Sequence, residues 1–141
     1  MFRSVYELLG QYDPSTHLFT PKTWSVKHRP GTNVQATATR AAASKTGQRL
    51  VATSITVTFT AGTSAPSANS ITVSLIDGAS GGGTTLWGPH DISIPAVAGA
   101  MNGIALPCWI VGSANTAMTL EFSAAGGANT FESVTLTGVT V

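Results

Sequence analysis

Between Val51 and Thr60 the chain alternates: Ile55, Val57 and Phe59 share one parity, while Ser54, Thr56, Thr58 and Thr60 share the other. A period of two sends successive side chains to opposite faces of an extended backbone, so this stretch predicts a half-buried strand. The pattern recurs. Ile71, Val73 and Leu75 repeat it, and Met118, Leu120 and Phe122 alternate with Thr119, Glu121 and Ser123. Val34–Ala41 alternates small and polar residues as a weak first strand, and short strands follow at Thr84–Trp87 and Asp91–Val97, each limited by a proline. Ile104–Val111 is a continuous apolar run that holds Cys108, expected as a buried, inert thiol. Asp77 and Gly78 open a Gly/Ser turn through Gly83 that reads as a flexible hairpin tip. In the last strand Val134 and Leu136 hold one parity, Val139 and Val141 the other; Gly138 stands at the flip, where a β-bulge would restore one face. About eight strands with turn signals between them predict an all-β domain, an antiparallel β-sandwich or jelly roll over residues 34–141.

Residues 1–33 read differently, as an N-terminal docking arm. Phe2, Val5, Tyr6 and Leu9 have helical spacing and Gly10 can end the turn, so a short N-terminal helix is expected. Pro14, Pro21 and Pro30 then favour an extended path carrying Leu18, Phe19, Trp24 and Val26 between polar residues. Such an arm lies across another surface, or folds back over its own sandwich.

Charge sharpens the division. Only 9% of residues are charged, against a norm of roughly 25%, which suits a surface covered by other copies or by a partner. All seven Lys and Arg residues lie within the first 49 positions: Arg3, Lys22, Lys27, Arg29, Arg40, Lys45 and Arg49. Glu7 and Asp13 alone oppose them there, and the remainder holds Asp77, Asp91, Glu121 and Glu132 with no basic residue. The two ends of the chain are therefore expected to face different neighbours.

Signals for chemistry are sparse. The carboxylates of the β domain are far apart in sequence, and Asp91 with Glu121 is the one pair weighed for glycosidase work. His90 and Asp91 are adjacent, so strand alternation points them to opposite faces. His17, His28 and His90 lack a short metal-ligand spacing, and a lone cysteine excludes a disulfide framework. No nucleophile elbow or phosphate loop occurs. A non-enzymatic protein without cofactor or metal is expected. The basic residues are too thinly spread for phosphate neutralisation, which argues against a nucleic-acid partner. No apolar stretch addresses a membrane, so synthesis in a host cytoplasm is the default expectation.

Four segments, Arg49–Ile55, Leu75–Gly81 with Thr85–Trp87, Gly112–Ala125 and Glu132–Gly138, resemble a recurrent type of small bacteriophage virion protein. The resemblance implies a head or tail component located on the virion, and capsid decoration (cement) proteins are the favoured subclass. Its partners would then be the major capsid protein and further copies of itself, expected as a homotrimer on the capsid surface. The arm lies outside the resemblance; its docking role rests on Phe2, Arg3, Tyr6, Leu9, Phe19, Lys22, Trp24, Lys27 and Arg29 as apolar anchors and steering charges. Two alternatives stand beside this: a minor tail or connector subunit, and an attachment or glycan-binding head on a tail fibre or spike. For the latter Trp87 and His90 are the candidate platform, although core packing is the plainer expectation for both Trp87 and Trp109.

Overall fold

The computed structural model describes residues 11–13, 18–20, 22–67 and 69–141. The chain is all-β. A small hairpin pairs β1 (Gln11–Asp13) with β2 (Leu18–Thr20). Eight further strands follow: β3 (Lys22–His28), β4 (Thr37–Arg40), β5 (Arg49–Ala61), β6 (Asn69–Asp77), β7 (Thr84–Ile94), β8 (Met101–Ala114), β9 (Met118–Phe122) and β10 (Thr130–Thr140). They form two four-stranded antiparallel sheets, ordered β3-β10-β5-β8 and β4-β9-β6-β7. Pairing is nested: β6 with β7, β5 with β8, β4 with β9 and β3 with β10. Among the described residues there is no helix, hence none long and apolar enough to cross a membrane.

The two sheets pack face to face. Ile55, Val57, Phe59, Val134 and Leu136 from one meet Val73, Leu75, Met118, Leu120 and Phe122 from the other in one buried cluster, with the Phe59 and Phe122 rings 6.0 Å apart. These are the residues whose parity the sequence aligns, and burying each large apolar side chain contributes roughly 1.5–3 kcal/mol.

Four expectations change. First, Lys22–His28 is an edge strand of the sheet rather than part of a free arm: it pairs along its length with β10, and Trp24 is buried in the core opposite Gly138. Pro21 and Pro30 bracket it, so neither interrupts its ladder. Secondly, the two short strands expected around Pro89 are one strand, β7, which passes a cis Gly88–Pro89 bond with register shifts against β6. Thirdly, the bulge near Gly138 lies on the neighbour: β10 alternates unbroken, and Thr53 is the extra residue on β5. Val139 therefore stays on the outer face, opposite Val51. Finally, Ile104–Val111 is not buried on both sides. Ile104, Leu106, Cys108 and Ile110 pack inward, while Ala105, Pro107, Trp109 and Val111 are exposed. The expected helix over 1–10 lies outside the described residues.

Candidate functional site

The outer face of β3-β10-β5-β8 is built almost wholly from residues that the alternation leaves over. On β10 it carries Ser133, Thr135, Thr137 and Val139, and on β5 Val51, Ser54, Thr56, Thr58 and Thr60. On β8 it carries Met101, Gly103, Ala105, Pro107, Trp109 and Val111. Val139, Val51 and Val111 stand in one row across three strands. Met101 is 73% exposed and Trp109 61%, so an apolar strip runs along the edge strand beside a field of hydroxyls. Lys27 on β3 and Arg49 at the start of β5 are the charges at its margins. Trp109, for which core packing is the plainer expectation, faces out instead, because in a sheet with one solvated face an apolar run exposes half its members.

The basic candidates separate by role. Lys27 and Arg29 are exposed and Lys22 is half-buried, all on or just past β3. Trp24, expected as an anchor for a partner, is a core residue instead, with the Arg40 guanidinium 6.0 Å from its ring centroid. Arg49 donates from Nη1 to the Gly112 carbonyl at 3.0 Å and so helps hold the end of β8. His28 accepts the Thr37 amide through Nδ1 at 3.0 Å, linking β3 to the start of β4. Phe19 falls within β2; Phe2, Arg3, Tyr6, Leu9 and His17 lie outside the described residues.

The opposite outer face is roofed over its central strand β9 by the chain itself. Glu121, on the central strand β9, accepts hydrogen bonds from the Ser80 hydroxyl and the Gly81 amide, and Thr119 donates to the Gly78 carbonyl at 2.7 Å. The Gly/Ser segment expected as a flexible tip is thus pinned over the sheet, leaving Thr119 fully buried and Glu121 7% exposed. Its neck needs glycine. Gly78 and Gly83 have φ of 152° and 99°, and a Cβ on Gly83 would lie 2.3 Å from the Asp77 carbonyl oxygen. The Asp77 carboxylate in turn accepts the Ser113 amide at 3.0 Å, joining β6 to the end of β8.

Asp91 and Glu121 project from this same face, yet β6 runs between them, pairing Thr72 with Asp91 and Ser74 with Glu121. The strand between places them about 10 Å apart sideways with a further ~7 Å offset along the strands, and Glu121 is engaged by the loop. Trp87 and His90 do come together: their ring centroids are 4.4 Å apart at an interplanar angle of 47°, with Trp87 half-buried against the core and His90 exposed. Cys108 is half-buried with its Sγ 3.5 Å from the Ala52 carbonyl, and burial pushes its thiol pKa up, which makes it a poor nucleophile.

Glu132 is the group the sequence least announces. It is 1% exposed on β10, accepts the Ala36 amide at 2.7 Å, and ties that strand to the approach to β4. Its other oxygen has no hydrogen-bond donor among the described residues. Desolvation raises its pKa, against the opposing pull of the Ala36 and Gly126 amides. Among the described residues no three His, Cys, Asp or Glu side chains gather as a metal-binding group. In comparison with known proteins, no family model matches the chain and no curated relative matches it.

Proposed function

We propose that this chain is a non-enzymatic structural protein of a virus particle, a capsid decoration protein of jelly-roll fold that binds the assembled head and associates with its own copies, as a trimer. The nested pairing supports the jelly roll, since a long antiparallel ribbon with its tip at β6–β7, rolled upon itself, yields these two strand orders. Jelly rolls serve viral capsids and lectins alike, so fold alone does not decide. The observation that carries the decoration role is the division of the surface. One broad sheet face is bare of charge within its margins, and Lys22, Lys27 and Arg29 gather along and beyond its β3 edge. The sequence preceding that strand carries Phe2, Arg3, Tyr6, Leu9 and Phe19. Apolar anchors supply affinity in such a contact, while exposed charges steer and orient.

The test uses the full-length chain, because truncation at residue 33 would remove β3 and Trp24. Cosedimentation with expanded, empty capsids of the virus that encodes it should show saturable binding. Lys22→Glu/Lys27→Glu/Arg29→Glu should weaken that binding most at low salt. A wild-type chain that stays in the supernatant would end the decoration role.

One observation favours a second possibility. The adjoining, tilted Trp87 and His90 rings sit on an edge strand, where a sugar could reach them. Reproducible glycan-array binding that is lost in Trp87→Ala would move the assignment to an attachment head.

A further inference from the structure

We infer that the outer face of β10, β5 and β8 is the surface on which a second copy of this chain packs, anchored by Trp109. The inference rests on the proposed function only in taking the protein to work as an oligomer; the choice of face comes from the geometry, and because the face meets itself it gives a two-fold pair of copies in place of the trimer.

Three observations select the face and its occupant. The first is apolar exposure gathered on one strand side: Met101 at 73%, Trp109 at 61% and Val111 at 46% all project outward from β8, whereas the other exposed large apolar residues described, Val34 and Val97, stand singly in loops. Tryptophan at the centre of a contact, ringed by residues that exclude water, is the usual form of a binding hot spot. The second is chemical self-complementarity. Ser54, Thr56, Thr58, Ser133, Thr135 and Thr137 present hydroxyls, each able to donate and to accept, so the same face meets itself without an unpaired group. No charged residue stands between Lys27 and Arg49, so two copies bring no like charges into the buried centre. A partner recognised by charge would find nothing here to recognise.

The third is area. β10, β5 and β8 run 11, 13 and 14 residues. At about 3.3 Å per residue and about 4.8 Å between strands, the face with its β3 margin projects on the order of 700 Å². A standard interface takes roughly 600–1,000 Å² from each partner, so one such face falls within that range.

Packing on the face, rather than adding a strand at the edge, follows from Pro107. It stands in the middle of β8, opposite Ser54, and lacks the N–H that a continuous new ladder would use.

Sedimentation velocity on the full-length protein tests this directly, over a dilution series, with three variants. Trp109→Lys and Ala105→Lys place a charge in the proposed contact; Ser93→Lys places one on the exposed outer side of β7 in the other sheet. The wild type should associate reversibly. Trp109→Lys and Ala105→Lys should each raise the dissociation constant by roughly tenfold or more, and Ser93→Lys should leave it unchanged. The inference fails if the wild type is monomeric at every concentration, which would leave the face to another partner. It fails equally if both β8 variants associate like the wild type, since two separate positions on the face would then be silent. Capsid cosedimentation of the same samples keeps the two ideas apart. Loss of self-association with capsid binding retained upholds this interface; self-association through this face without capsid binding upholds it too, and removes the decoration role alone.

Discussion

On one sheet, the outer side of the central strand β9 carries Thr119 and Glu121, both buried beneath the segment between β6 and β7. On the other sheet the outer side carries threonines, valines and a tryptophan that is 61% exposed. The middle of the first face is covered by the chain's own loop, through a carboxylate and two hydroxyls that fix it in place. The second has apolar area of the kind a monomer seldom leaves in water without a use. A sheet has two faces to satisfy. Here the chain covers the middle of one by itself and leaves the other open.

Trp24 and Trp109 put the contrast in its strongest form, because they project from opposite sides of the same sheet. Trp24→Ala should cost about 3–5 kcal/mol, as expected for removing a large aromatic from a core. Urea unfolding monitored by circular dichroism measures it. A loss near zero would return β3 to the status of a detachable arm and undo the division drawn here. Gly138 tests the same seat from below. A Cβ there would stand 2.1 Å from the Val51 carbonyl oxygen and 2.4 Å from the Trp24 ring. Gly138→Ala should therefore destabilise by about 1–3 kcal/mol, the usual range for overpacking, in the same unfolding assay.

The roof is next in size. Glu121→Ala leaves the Ser80 hydroxyl and the Gly81 amide without their acceptor, at a cost of about 1–3 kcal/mol if both stay buried. If instead the loop lifts, global stability falls little and hydrogen exchange at Gly81 accelerates. Either result supports the pinned loop. Unchanged stability together with unchanged exchange would show that the two faces are not finished differently after all.

Much of the fold was legible because side-chain parity is a local property. Ile55, Val57 and Phe59, or Met118, Leu120 and Phe122, reveal their inward side without any knowledge of partners. What was illegible depends on pairing. The nesting of β3 with β10 joins residues over a hundred positions apart, and no local pattern states it. Lys22–His28 alternates as Lys, Trp, Val and His against Thr, Ser and Lys, a mixture that its flanking prolines disguise as irregular chain. The candidate surface was hidden for a related reason. Ile104–Val111 is apolar at every position, so it carries no parity of its own, and only its register against β5 decides that Trp109 faces out. Glu121 and Glu132 are each a lone acid in an alternating strand, the one between Leu120 and Phe122, the other between Phe131 and Ser133. One alternates with Met118, Leu120 and Phe122 and projects outward under a loop; the other shares the parity of Val134 and Leu136 and projects inward.

That difference has a pH signature. Glu132 has its pKa raised by burial, so the native state holds this proton more tightly than the unfolded chain does. Its contribution favours the folded state below the ordinary glutamate value of about 4.3 and is lost as pH rises through the raised value. Glu132→Gln keeps the shape and removes the titration. Between about pH 4 and pH 7 the melting temperature of the wild type should therefore fall relative to that of Glu132→Gln, while the other acids titrate alike in both and cancel. A constant gap across that range would mean that Glu132 is not desolvated in the native state.

The smallest effect on the fold is expected where the effect on association is largest. Trp109→Ala removes a side chain that is 61% exposed in the single chain, so at high dilution the variant should unfold within about 0.5 kcal/mol of the wild type. Concentration then separates them. A protein that self-associates only when folded gains stability by mass action, so the melting temperature of the wild type should climb as its concentration rises. That of Trp109→Ala should climb less, because a weaker association draws less on the folded state. Were Trp109→Ala to destabilise the dilute monomer as Trp24→Ala does, the outer tryptophan would be serving the core. The open face would then be a second roofed one whose cover is part of the same chain.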